Sequence, residues 1–415
     1  MSLRISTNAI FDKGSTQLNS LQSQMAKTQM QLSTNKRLVT AADDPIASAH
    51  VLELTQSQSM NTQFGTNRGN ARASLSLVDK TLGDVTGQIQ DIQTLIVNAG
   101  NGTYTQSDRQ SLATELEGRL KDLLGSANTT DGTGSYLFSG YKTTSQPYTQ
   151  VPGGATYQGD QGQRTLQVGS ARKMPTSESG DAIFDAIPTG NGAFVTTPGG
   201  NTGTAGANTG SAIISPGSVT DSTKLTHKPY SIGFTVTAGP PDVTTYTVND
   251  TSTSPATAIS TGTYTPGASI EFDGMSMSVT GVPNDQDTFN VTPSDKQSVF
   301  TTISNLIDTL RAPAEGSTGK AALANSLALA GSNMKNALDN VLTVQSSVGA
   351  RLKELDSLDS TGDDLNVQYT STLGDLQDLD MVKAISLFSQ QQTTLQAAQM
   401  SFKTVSGLSL FNYLR

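Results

Sequence analysis

Two heptad stripes, one near each end of the chain, constrain its fold more than any other feature. Near the N-terminus Phe11, Leu18, Met25 and Leu32 recur every seven residues, with Leu21 three after Leu18. At the opposite end Met381, Phe388, Leu395 and Phe402 recur at the same interval, accompanied by Ala384, Ala398 and Val405. A seven-residue apolar repeat marks helices that wrap around one another. Both stripes are narrow, with Gly14, Thr28, Asn35 and Gln391 at weak positions, and a helix in water is stabilised mostly by its packed face. Neither end can fold alone, so each needs a partner. The weak positions favour helix contacts between chains in an assembly over a bundle closed within one chain.

The signals between the stripes divide the chain into helix, β insertion and helix. Leu32-Ser33-Thr34-Asn35-Lys36-Arg37 reads as a helix end, with Asn at a left-handed cap and two cations at the negative pole of the helix dipole. Asp44-Pro45 starts the next helix, Asp as N-cap and Pro in the first turn. Asn98 to Thr103 reads as a break. Ser107-Asp108-Arg109-Gln110 fits a capping box ahead of Leu112, Leu116, Leu120, Leu123 and Leu124, which gives a helical hairpin. Leu323, Leu327, Met334, Leu338, Val341, Val348, Leu352 and Leu355 supply a further apolar face, expected to pack on that hairpin. In the middle, Tyr230, Ile232, Phe234 and Val236 alternate at period two, followed by Tyr246 and Val248. Ile270 and Phe272 lead through an Asp273-Gly274 turn to Met275, Met277 and Val279, so a small antiparallel β domain is expected. Residues 186–220 carry no charge and are dense in Gly, Thr and Asn, which reads as a solvated loop or linker.

Composition removes most chemistries. The 415 residues include no Cys or Trp and only two His, and the net charge is −9. No disulfide or thiolate metal site is possible, and an acidic chain is a poor match for nucleic acid. The charge is uneven: residues 1–42 carry +4 and 381–415 carry +3, leaving −16 for the rest. No run of about 18 apolar residues suggests a membrane span or a cleavable signal. Asp43-Asp44 reads as a capping pair rather than an acid/base pair, and Gly132-Thr133-Gly134 as a turn rather than a phosphate loop. His50 reads as a surface or packing residue of a helix, and His227 as lying at a strand edge. The acids from Glu354 to Asp380 read as a solvated helix face; the competing reading makes them counter-charge to the basic ends. No catalytic, cofactor-binding or metal site is expected, and the chain is not read as an enzyme.

Four segments in order carry a resemblance. Arg4-Ile5-Ser6-Thr7-Asn8-Ala9-Ile10-Phe11 opens the chain, and Leu32–Arg37 is followed by Asp43-Asp44-Pro45-Ile46-Ala47. Asn128–Gly132 precedes Tyr136-Leu137-Phe138-Ser139-Gly140-Tyr141-Lys142, and Leu408-Ser409-Leu410-Phe411-Asn412-Tyr413-Leu414 closes it. Together they resemble the flagellar hook-associated protein 3 family of the flagellin-like superfamily, over roughly residues 3–175 and 296–415. Asn35 departs from the Gly common in that family, although Asn tolerates the left-handed conformation. Residues 180–295 match no motif of the family.

The resemblance implies an α+β, elongated, flagellin-like architecture in which paired terminal helices form a coiled-coil stalk around a central antiparallel β insertion. It implies three regions: residues 1–42 with 381–415 as a terminal coiled coil disordered in the free monomer, 43–175 with 296–380 as a helical-bundle core with β-hairpins, and 176–295 as linker and β domain. It also implies a secreted structural protein, exported by the flagellar type III apparatus and placed at the hook-filament junction. The partners implied are the hook-associated protein FlgK, flagellin, further copies in a ring, and the export chaperone FlgN on the C-terminal helices. Assembly is then coupled folding, burying Phe11, Leu18, Leu21, Met25 and Leu32 against Met381, Phe388, Leu395, Phe402 and Val405 and against neighbouring subunits. A flagellin-type filament subunit and a secreted adhesin on a helical stalk are the alternatives.

Overall fold

A computed structural model describes residues 7–407; the opening Arg4–Ser6 and the closing Leu408–Leu414 of the quoted motifs lie outside them. Three helices come first, α1 (Thr7–Thr34), α2 (Pro45–Ala99) and α3 (Gln106–Ala127), and three come last, α4 (Val299–Arg311), α5 (Gly316–Gln377) and α6 (Met381–Gly407). Between them lie the strands β1 (Tyr148–Val151), β2 (Gly154–Tyr157), β3 (Thr165–Gly169), β4 (Arg172–Pro175), β5 (Ile187–Pro188), β6 (Phe194–Asn201), β7 (Ile213–Ile214) and β8 (Ser218–Val219). They are followed by β9 (Tyr230–Thr237), β10 (Val243–Asp250), β11 (Thr257–Thr263), β12 (Ser269–Phe272), β13 (Met275–Thr280), β14 (Asp287–Pro293) and β15 (Lys296–Gln297). The α+β fold class with an antiparallel β insertion is as expected. The chain forms two compact units, residues up to 66 with those from 357 on, and residues 67–356.

The larger unit holds the cores. On α2, Ala71, Leu75, Val78, Leu82, Val85, Ile89 and Ile92 are buried at steps of three and four, the spacing of one helix face. Leu116, Leu120, Leu123 and Leu124 of α3 are buried, as are Val299, Phe300, Ile303, Leu306, Ile307 and Leu310 of α4, and the two helices pack together. Leu327, Met334, Val341, Val348 and Leu355 of α5 are buried too, with Leu323, Leu338 and Leu352 half-buried beside them. The cap of α3 lies two residues earlier than Ser107. Thr105 accepts from the Asp108 N–H, and the Asp108 carboxylate accepts from the Thr105 N–H at 2.8 Å, so Asp fills the place usually taken by Glu or Gln.

In the β region one antiparallel sheet runs β11-β10-β9-β14-β6 and another β12-β13-β7, with β8 also on β13. Their inner residues, among them Ile232, Phe234, Val248, Phe289, Ile270, Met277 and Val279, form a single core. Asp273 and Gly274 make the expected turn with φ of 42° and 74°, closing the Phe272–Met275 pair. The uncharged stretch 186–220 is not a linker. It supplies β5, β6, β7 and β8, with Phe194, Ala212 and Ile214 in the core, because backbone pairing and a few inward apolar residues suffice where charge is absent.

Two polar devices tie this region together. Asp287 is fully buried, and its carboxylate accepts from Asn201 Nδ2 (2.9 Å) and the N–H groups of Thr209 (2.8 Å), Gly210 (2.8 Å) and Asn284 (2.9 Å). Burial pushes its pKa up, but these donors outweigh it and hold the group below the usual carboxylate range. On α5 a row of asparagines grips the main chain of the insertion. Asn325 bonds Ile214 N–H and the Ala212 carbonyl, Asn333 accepts from Gly190 N–H at 2.8 Å, and Asn336 and Asn340 donate to carbonyls at 188, 190, 182 and 183. Asn333→Ala leaves a buried N–H unpaired and should lower unfolding stability by about 1–3 kcal/mol in urea titrations read by circular dichroism.

Candidate assembly interface

The smaller unit is built by the two heptad stripes. Asn35, at φ 54°, ends α1 in the left-handed conformation expected of it. The chain then turns beside the start of α6: Leu379 N–H donates to the Asn35 carbonyl (3.3 Å), Arg37 N–H to the Gln377 carbonyl (2.6 Å), and the Arg37 guanidinium to the Leu376 carbonyl (2.8 Å). Asp43 accepts from Val39 and Thr40 N–H groups and pairs with Lys27 at 2.6 Å. The Lys27 hydrogen bond, then those main-chain donors, hold its carboxyl well below the usual range. Asp44 caps α2 through Ala47 N–H, and Asp380 caps α6 through Lys383 N–H. The capping reading of the Asp43-Asp44 pair holds, with Asp43 serving the loop and Asp44 the helix.

From this clasp α1 and α6 run antiparallel, since the far end of the pair brings Phe11 to Phe402, ring centroids 5.1 Å apart. Leu395 and Ala384 are buried between the helices, and Leu18, Leu21, Met25, Leu32, Phe388 and Phe402 are half-buried. Met381 and Val405 are not brought into the seam and are 40% and 52% exposed; Phe11, 53% exposed, touches it by one face of its ring. The structure therefore pairs the two stripes within one chain. Of the weak positions, Thr28 is buried with its hydroxyl on the Gln24 carbonyl (3.1 Å), whereas the buried Gln391 Oε1 has no partner among the described residues. Gly14 proves to be a fitted position: a Cβ there would lie 2.7 Å from the Phe402 ring.

This unit has almost no core. Among its described residues Ala47, Ala384 and Leu395 are the buried apolar side chains, yet it carries thirteen of the twenty-one large apolar residues that are exposed in the described chain. Val382 (80%), Ile385, Leu387 and Met400 project from α6, and Ile46 and Leu52 from α2. A seven-residue repeat marks only the seam, so this outer face carries no heptad signal; the apolar residues of α6 off the stripe, Val382, Ile385, Leu387 and Met400, are what mark it in the sequence. Elsewhere the chemistry is sparse. His50 is exposed on α2 beside Glu53, and His227 lies in an exposed loop before β9 at φ 51° rather than at a strand edge. Among the described residues no group of three His, Asp or Glu side chains could hold a metal ion. Of the acids read as possible counter-charge to the basic ends, Glu354 pairs with Arg172 and Asp356 with Arg72, away from those ends, while Asp380, the cap residue of α6, pairs with Lys383 of the basic C-terminal segment.

Antiparallel terminal helices that keep an apolar outer surface, in a chain with a central antiparallel β insertion, are the architecture of a flagellin-like subunit. Residues 5–143 match the bacterial flagellin N-terminal helical region, and residues 204–293 match the D2-like domain of flagellar hook-associated protein 1. The chain is 30% identical over 410 residues to flagellar hook-associated protein 3 of Escherichia coli K12, covering 99% of both chains. The crystal structure of the flagellar junction protein FlgL from Legionella pneumophila superposes with a TM-score of 0.71 at 30% identity, over 79% of this chain and all of that one. Phase 1 flagellin of Salmonella naestved, by contrast, matches over 142 residues, 34% of this chain.

The chain belongs to the hook-associated protein 3 family. It is a non-catalytic structural component of the bacterial flagellum, secreted and located at the hook-filament junction, where its contacts are with hook and filament components. The match at 204–293 also gives the insertion, which no family motif marked in the sequence, a counterpart in another hook-associated protein.

Proposed function

We propose that the α1/α6 pair, with the apolar side chains it leaves outward, is the element by which the chain is built into the flagellar tube. On this reading it stands between FlgK and the first flagellin subunits, beside further copies of itself in a ring. The observation that carries the proposal is the contrast between a unit with three buried apolar side chains among its described residues, two alanines and one leucine, and the thirteen large ones it exposes. Such a pair is stabilised by little of its own surface, so joining neighbours supplies the rest. The terminal segments then pass the export channel unfolded and fold as they join, and the exposed apolar residues of α6 are what an export chaperone such as FlgN would cover beforehand.

Limited proteolysis of the purified full chain tests the coupling. Both ends should be trimmed first, leaving a resistant fragment bounded by about residues 45 and 370, because segments of low local stability open before the core does. Ends as resistant as the middle would mean that the pair is complete without partners.

A further inference from the structure

The main-chain bonds between the Asn35 turn and the start of α6 fix where the two helices begin. They do not fix how α6 is rotated about its axis several turns further along. The seam alone is a weak guide, since its large residues repeat every seven positions and Ala384, Ala398, Thr28 and Gln391 between them are small or polar. Gly14 is different. It is the one glycine of α1, and a Cβ built on it would lie 2.7 Å from Cδ2 and 2.8 Å from Cε2 of Phe402, closer than carbon atoms pack. The Phe402 ring thus occupies the space that any other residue would fill, and the Phe11 ring lies against it. Glycine inside a helix is unfavourable relative to alanine, so its presence at the seam calls for a compensating fit.

We infer that Gly14 and Phe402 form a steric lock that sets the rotational phase of α6 on α1, and thereby which apolar side chains of α6 face outward for neighbouring subunits. With the ring seated, Leu395 is turned in and Val382, Ile385 and Met400 are turned out. If α6 rolls, the outward set changes while the helix itself survives. The inference rests on the role in assembly proposed above for this pair.

The test compares full-length variants in cells whose own copy is deleted, scoring filament assembly and flagellin lost to the medium. Gly14→Leu should lower incorporation by about tenfold to a hundredfold, the expected penalty for overpacking, Phe402→Ala should lower it by leaving the seat empty, and the double variant should assemble better than either single one because the leucine then fills the vacated space. A double variant no better than the worse single variant overturns the lock. If Gly14→Leu assembles normally while Leu395→Asp does not, the lock is wrong and the seam stands; if both assemble normally, the seam reading itself falls. Should Gly14→Leu not accumulate, Gly14→Ala decides. Helix propensity alone would make it assemble as well as the parent or better, which overturns the lock, whereas the clash makes it worse.

Discussion

Leu395→Asp should abolish filament assembly while leaving residues 67–356 folded. Leu395 is 7% exposed and is the largest buried side chain of the α1/α6 unit, whose other buried apolar residues are alanines. Losing its burial removes about 2 kcal/mol, and placing a carboxylate there with no partner adds a comparable or larger desolvation cost. A total of about 4 kcal/mol reduces the paired population by nearly a thousandfold at about 1.4 kcal/mol per tenfold. The larger unit has its own cores and should keep its circular dichroism and its cooperative thermal transition. Cells carrying only this variant should shed flagellin into the medium and fail to spread in soft agar. Normal swimming would show that the pair does not hold the junction together.

Asp287→Ala is expected to destabilise the β region by about 2–4 kcal/mol, since it strands the buried Gly210 N–H and the part-buried N–H groups of Thr209 and Asn284. The chain has ten Tyr and no Trp, so near-ultraviolet circular dichroism is the suitable probe for this tyrosine-bearing sheet. The same carboxylate makes stability depend on acid. Its folded pKa lies below the unfolded value of about 3.9, so its contribution is fully present above that pH and is lost as the pH falls through the depressed folded value. Asp287→Asn should flatten this acid limb. An unchanged limb would mean that other carboxylates govern it.

Much of the fold was legible because it rests on local rules. Asn35 tolerates a left-handed turn, Asp44 caps a helix that opens with proline, Asp273-Gly274 can only turn tightly, and alternation from Tyr230 to Phe234 marks a half-buried strand. The charge-free segment 186–220 was not legible, since threonine and glycine are equally at home in a loop and in a strand whose partner, β14, lies far along the sequence. The asparagines of α5 were silent for the same reason: an amide on a helix says nothing until the main chain it binds is beside it.

The sequence by itself determined that two heptad stripes at opposite ends need partners, that the middle is antiparallel β, and that no disulfide or thiolate metal site can form, because periodicity and residue inventory are properties of the chain. Tertiary structure decided that the stripes meet within one molecule, that Gly14 lies against the Phe402 ring rather than being a weak point, and that Val382, Ile385, Leu387 and Met400, off the stripe on α6, are left exposed. Those three facts depend on the relative rotation and approach of helices more than three hundred residues apart, which no local pattern encodes.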